Sequence, residues 1–310
     1  MTNSRSPILV TGAHRTGTTW VGKMLAVGGH STYISEPLNK WHRVGVLSTP
    51  INYWYTYICE NNEVTFEKGF FEMLEYRYHF WSEIRSLRSL KDIGRMVRDF
   101  SNFGRGKFSN LRPVIKDPFA VFSAPWFSGR LGCKVVITIR HPAAFASSLK
   151  RLDWAFNFND LLSQPLLMRD WLEPYRTEME NIKPDSDSIV VQSSLLWTMI
   201  YKVVEQYSLG QTEFYLVRHE DLSRNPVEGF RNLFAKLGFE FSIKAEKAIF
   251  KSSNSNNPGE LSKKSAHSVH LNSQENLTNW KRRLNSNEIS IIREIAGEVA
   301  SYYYTEQEWD

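Results

Sequence analysis

The chain has 310 residues, with 38 Lys and Arg against 33 Asp and Glu, a formal charge of +5. Hydrophobic residues make up 42% and charged residues 23%, which is ample for a packed core and excludes wholesale disorder. The basic excess is small and forms no dense tract, so no nucleic-acid partner is expected, whereas a site for a small polyanion fits. Two cysteines, Cys59 and Cys133, exclude a disulfide scaffold and read as packing residues in a reducing cytoplasm. No signal-peptide core precedes the first apolar run, no stretch of about 18 apolar residues exists to span a membrane, and no repeat recurs at a fixed period.

In chain order, residues 7–11 (Pro-Ile-Leu-Val-Thr) form an apolar run that ends at Gly12 and predicts a buried strand. A helical pattern follows Gly17, with Val21, Met24 and Leu25 on one face, and stops at Gly28-Gly29. Residues 38–108 are crowded with aromatics, from Trp41 through Tyr53, Trp54, Tyr55 and Tyr57 to Phe80 and Trp81. They predict helical insertions whose rings either pack a core or line an acceptor pocket. Short apolar runs stand at 113–116, 134–139 and 213–218, with helical patterns at 142–151, 192–208, 226–237, 243–250 and 287–303. Pro142 suits a first helical turn. Residues 251–275 are polar and form a loop by composition, either an inert connection or a lid. Strands alternating with helices argue for one α/β domain over 1–310, a P-loop-like parallel sheet flanked by helices with the aromatic-rich insertion.

Gly12-Ala13-His14-Arg15-Thr16-Gly17-Thr18-Thr19 has the spacing of a phosphate-binding loop and sits between a strand and a helix. Backbone N–H groups and the helix dipole there favour an anion, and two threonine hydroxyls add donors. A magnesium-dependent nucleotide loop needs Lys where Thr18 stands and a carboxylate at the end of a neighbouring strand. Here the best such strand ends in Arg140. A cation at that place repels a metal and attracts a phosphate. Arg140 and Ser148, eight residues apart with Pro142 between them, form a second anion site, the guanidinium giving paired hydrogen bonds and the hydroxyl one more.

With both sites in view, the sequence resembles the PAPS-dependent sulfotransferases. Arg15-Thr16-Gly17-Thr18-Thr19-Trp20 looks like their 5′-phosphosulfate loop, and Arg140-His141-Pro142 through Ser148 looks like their 3′-phosphate motif. Residues 217–226 and Asn279-Trp280-Lys281 resemble two further family segments. The resemblance implies transfer of a sulfuryl group from PAPS, with PAP as product, to a hydroxyl or amine of a small-molecule, carbohydrate or lipid acceptor. It implies that Arg15, Thr16, Gly17, Thr18 and Thr19 hold the 5′-phosphosulfate, Trp20 stacks on the adenine, and Arg140 and Ser148 hold the 3′-phosphate. His219 stands where the family often has an adenine-contacting Tyr. Two departures stand out. Arg15 replaces the usual Lys, and the Lys-Thr-His motif with its histidine base is absent, its nearest equivalent reading Lys116-Asp117-Pro118.

In-line sulfuryl transfer builds negative charge on the leaving oxygen, for which Arg15 and then Lys116 are the candidate cations. The base is sought among carboxylates: Glu36, at the end of an apolar stretch and in the region where other branches of the family place a Glu, or Asp117, beside the missing histidine's position. His14 reads as a loop residue. His267 and His270 have no accompanying Cys or carboxylate cluster, so no metal is expected. A P-loop kinase or other phosphotransferase, and an inactive PAP-binding protein, are the alternatives. The sequence leaves the acceptor and homo-oligomerisation open.

Overall fold

Five short strands pair in parallel in the order β2-β3-β1-β4-β5: β1 (Ile8–Gly12), β2 (Ser31–Ser35), β3 (Arg112–Lys116), β4 (Lys134–Ile139) and β5 (Phe214–Arg218). They are seen in a computed structural model, which describes residues 6–183, 188–208, 214–260 and 269–310. Side chains alternate across the sheet, as period-2 geometry requires. Ile8, Val10, Val114 and Val136 face one core, with Val21, Leu25, Phe230 and Phe234. Leu9, Ile115, Val135 and Ile137 face the other, with Phe122, Phe145, Trp197 and Tyr201. Both faces are thus covered, which explains the continuous apolar runs.

The first core is roofed by α1 (Thr18–Ala26), and by two helices nearer the C-terminus. The helices between β2 and β4 are α2 (Glu67–Leu74), α3 (Phe80–Ser86), α4 (Leu90–Phe108) and α5 (Ala124–Gly129). After β4 come α6 (Pro142–Leu152), the short α7 (Asn159–Leu162), α8 (Pro165–Leu167) and α9 (Arg176–Asn181), and then α10 (Ile189–Ser208). After β5 come α11 (His219–Arg224), α12 (Pro226–Leu237), α13 (Ile243–Ser253), α14 (Glu275–Arg283) and α15 (Ser286–Ala300). Pro142 does open its helix, at the first turn of α6. No helix among the described residues is long and apolar enough to cross a membrane.

One expectation needs correction, and one strand went unread in the sequence. The insertion over 38–108 is helical only from Glu63 onward. Residues 38–62 run as turns closed by bonds such as His42 N–H to Asn39 O and Val46 N–H to Arg43 O, in a stretch that also holds Pro37, Gly45 and Pro50. The polar Ser-Thr-Tyr-Ile-Ser segment is an edge strand, β2, registered against β3 from Ser31–Arg112 to Ser35–Lys116.

Gly12 lies close against the neighbouring strand β4. Its φ is 140°, and a Cβ there lies 2.2 Å from the Thr138 backbone oxygen. Gly12→Ala is therefore expected to cost about 3 kcal/mol or more in denaturant unfolding. A cost below about 1 kcal/mol contradicts this account of the loop's entry.

Candidate active site

All five strands run the same way, so their carboxyl ends share one edge. That edge gathers residues far apart in sequence: Glu36 after β2, Lys116 at the end of β3, the glycine loop after β1, Arg140 after β4 and His219 after β5. A crevice at the carboxyl end of a parallel sheet, where connections diverge to either side, is the general place for a ligand in such folds.

The loop is held open by its own side chains. Thr16 is fully buried; its hydroxyl donates to Ala13 O at 2.6 Å and lies 2.8 Å from Thr138 Oγ1. It shapes the loop from within, while Arg15, Gly17, Thr18, Thr19 and Trp20 line the cavity. Tyr201 ties the loop to β4, accepting from Ala13 N–H at 3.2 Å and donating to Thr138 O at 2.8 Å. Arg15 and Gly17 have φ of 69° and 97°. Gly17 is the N-cap of α1, and no side chain caps that helix or places an acid in its first turn. A Cβ on Gly17 lies 2.7 Å from His219 Nδ1, so glycine is required by contact as well as by conformation.

The two anion sites read from sequence turn out to be one cavity. Arg15 Nε donates to Ser148 Oγ at 3.3 Å, and Arg140 Nη1 donates to Arg15 O at 3.4 Å. Arg140 is buried, donates through Nη2 to Asn276 Oδ1 at 3.2 Å, and leaves Nε without a partner. Among the described residues it forms no ion pair. Burial holds its pKa below the usual value. Burial, then Arg140 and Arg151, pull Arg15 down to about 10, although its guanidinium also lies 5.7 Å from the centre of the Trp154 ring. Sequence reasoning missed Arg151 and Arg283, which also line the cavity and share Glu260, at 3.5 and 2.8 Å. Arg151 was within reach of a sequence argument, standing one helical turn after Ser148. Arg283 and Asn276 arrive on α14, the helix that carries the Asn279-Trp280-Lys281 segment, though that segment named neither residue.

On the other side, Trp20 donates its indole N–H to Ser252 Oγ at 2.9 Å and meets His219 edge-on at 5.8 Å. Asn276 Nδ2 lies 3.2 Å from His219 Nε2 and donates to it, since Asn276 Oδ1 faces Arg140. Burial, then Arg140, hold the His219 pKa well below its ordinary value, so the ring is neutral. Of the polar stretch over 251–275, residues 251–253 end α13, and the described residues from 269 onward return onto that end, with Leu271 N–H on Ser252 O and Ser273 N–H on Ser253 O. Glu260, Val269, Leu271 and Ser273 thereby wall the cavity. Residues 261–268, including His267, lie outside the described residues; His270 is exposed, and no metal-binding group appears among the described residues.

The candidate bases separate cleanly. Glu36 adopts φ 50° and is part-exposed; its carboxylate pairs with Lys116 Nζ and accepts from Asn39 Nδ2 at 2.8 Å. Lys116 is buried, which lowers its pKa, but Tyr33 and Glu36 outweigh this and the net shift is upward. Asp117 has no exposed surface. Its two oxygens accept from Leu38 N–H at 2.5 Å and Phe119 N–H at 2.9 Å. Burial, then Glu36, raise it to about 7. Asp117 thus shapes the turn that carries Glu36, and none of Glu36, Lys116 and Asp117 lines the cavity that holds Arg15 and Arg140. His14, read from sequence as a loop residue, sits between Arg15 and a wall of Tyr55, Phe119, Phe145 and Trp154, with Nδ1 2.6 Å from the Tyr55 hydroxyl. Burial, then Arg15, lower it to about 4, so it too is neutral near pH 7.

Next to Arg140, His141 stacks on Trp280 at 5.4 Å, and burial lowers its pKa from 6.5 to about 3. Between pH about 6 and 4 the unfolded chain binds a proton on this ring that the folded chain refuses, so this group makes stability fall as pH falls. Below about pH 3 both states are protonated and the effect ends. His141→Phe is expected to make the slope of unfolding free energy against pH shallower by about 1.4 kcal/mol per pH unit in that window. Denaturant titrations across the window check it; an unchanged slope contradicts a neutral buried His141.

A search of curated proteins finds no match. Among solved structures, the sulfotransferase domain from the curacin biosynthetic pathway aligns over 95% of this chain and 97% of its own, with a TM-score of 0.52 and 14% identity, a likeness of fold alone. Mouse sulfotransferase SULT7A1 complexed with PAP aligns over 98% of this chain and 87% of its own, with a TM-score of 0.44 and 11% identity. The model of the sulfotransferase family matches residues 7–242, which include the glycine loop, the Arg140–Ser148 segment and His219. With three quarters of its length matched and the site residues inside that match, this chain belongs to the sulfotransferase family.

Proposed function

We propose that this sulfotransferase works as a single cytoplasmic domain over 1–310 that moves a sulfuryl group from PAPS to a hydroxyl or amine of a small-molecule, carbohydrate or lipid acceptor. The observation that carries the reading is Arg140: a buried guanidinium with an unpartnered Nε and no ion pair among the described residues, beside the uncapped start of α1. The buried Glu220 carboxylate favours the Arg140 charge without pairing with it, and a buried cation is costly unless an anion completes it. Arg15, Ser148, Arg151 and Arg283 on the same cavity fit two phosphate-like groups better than one. Thr18 in the lysine position and Arg140 in the acidic position disfavour ATP with magnesium. The two free cysteines, Cys59 and Cys133, suit a reducing compartment.

In this reading Arg15, Gly17, Thr18 and Thr19 hold the 5′ end, Arg140 and Ser148 the 3′-phosphate, and Trp20 and His219 flank the base. When bound, the donor supplies a sulfuryl group whose bond to the 5′-phosphate oxygen breaks as charge builds on that oxygen. Arg15, on the loop that holds the 5′ end in this reading, is the cation assigned to that charge. Glu36 takes the acceptor's proton, and Lys116 and Asn39 fix its carboxylate. PAP is expected to raise the melting temperature where ATP with Mg²⁺ does not, and label from ³⁵S-PAPS is expected on one of a panel of alcohol and amine acceptors. Stabilisation by ATP with Mg²⁺ and phosphate transfer would favour a kinase, and PAP binding without any transfer an inactive nucleotide-binding protein.

A further inference from the structure

Helix α4 carries two apolar faces, and the fold uses only one. Phe103 and Gly106 are buried against Tyr76, the Phe103 ring 5.8 Å from the tyrosine. Leu90, Ile93, Val97, Phe100 and Phe108 recur at helical spacing on a different face and are exposed, Leu90 at 86%, Val97 at 55% and Phe108 at 92%. Phe100 packs at 5.4 Å on Phe80, and Phe80 at 5.5 Å on Trp81 of α3, which is 73% exposed. The stripe is therefore contiguous across two helices, unlike the single exposed apolar residues every surface carries.

The charge around it is predominantly positive. Residues 81–108 hold seven Lys and Arg against Glu83, Asp92 and Asp99. Arg43, from outside the segment, pairs with Glu83 and Asp92, and Arg98 pairs with Asp99. Arg85, Arg88, Lys91, Arg105 and Lys107 form no ion pair among the described residues and are exposed. Trp, Phe and Leu on one face with a cationic flank is the composition of a helix that lies in a membrane interface. A second copy docked on the same face would bring like charges together across a two-fold axis. We infer that α3 and α4 form a peripheral docking face for an anionic lipid bilayer, with the apolar stripe entering the headgroup boundary and the flanking cations on the lipid phosphates and carboxylates. This goes beyond the sulfuryl-transfer reading and does not depend on it.

Co-sedimentation of the full chain with vesicles tests it. The chain is expected to pellet with phosphatidylcholine vesicles containing about 30% phosphatidylserine, to stay in solution with phosphatidylcholine alone, and to be released by about 0.5 M salt. Leu90→Glu with Val97→Glu, and separately Arg88→Glu with Lys91→Glu, are expected to weaken partitioning at least about tenfold. Both pairs are exposed, so melting temperature and PAP affinity should match the parent chain. Absence of binding to anionic vesicles at low salt would overturn the inference, as would binding insensitive to both pairs. A dimer abolished by the Leu90→Glu/Val97→Glu pair, without vesicle binding, would overturn it in favour of a second copy, and capture of an acidic protein without vesicle binding in favour of a protein partner.

Discussion

Glu36→Gln is expected to lower turnover in sulfuryl transfer at least about 100-fold while leaving PAP affinity unchanged. The substitution keeps the shape and the bond from Asn39 but removes the basic oxygen and the charge opposite Lys116. It also leaves Lys116, a buried ammonium, without its carboxylate, so a loss of fold stability is expected beside the loss of rate. The two effects are separable: PAP titration of the folded variant reports the nucleotide site, and saturating-substrate turnover reports the base. Full activity would remove Glu36 from the chemistry. It would not by itself promote Asp117, which is enclosed and holds the backbone of Leu38 and Phe119 in place.

Arg140→Ala is expected to weaken PAP binding by about 2–3 kcal/mol, the scale of a charge-assisted hydrogen bond to a buried partner. Affinity for 5′-AMP, which lacks the 3′-phosphate, should change far less. The link to Trp197 runs through the Arg140 backbone oxygen and survives the substitution, whereas the bonds to Arg15 O and Asn276 Oδ1 are lost, so a melting curve of the variant is read beside its affinity. A variant that binds PAP as tightly as the parent, by calorimetry, contradicts the assignment of Arg140 to the 3′ end.

The parts of the site legible in sequence are those whose geometry is local. A strand, a glycine loop and a helix within twenty residues fix where Arg15 to Trp20 lie, and a strand end followed by Pro142 fixes Arg140 and Ser148. What the sequence leaves apart, the sheet brings together. The order β2-β3-β1-β4-β5 sets Glu36 against Lys116 and Arg15 against Ser148, merging two expected pockets into one. Lys116 and Asp117 are neighbours in the chain, yet successive residues of extended backbone point opposite ways, so one pairs with Glu36 and the other caps the following turn. The aromatics between 38 and 108 carry no local mark of their fate. Tyr55 and Phe70 are fully buried, whereas Trp41 and Trp81 stand in solvent. Arg283 and Asn276 reach the cavity because α14 folds back beside α6, a tertiary fact that the Asn279-Trp280-Lys281 segment between them does not state.

The most direct measurement compares calorimetric affinities for PAP, 5′-AMP and adenosine 3′-phosphate on the same protein. Both monophosphates should bind at least about tenfold more weakly than PAP, each losing contacts at a different end of the cavity. A 5′-AMP affinity equal to that of PAP would mean that Arg140 and Ser148 hold no phosphate, and the two-ended nucleotide site would be wrong.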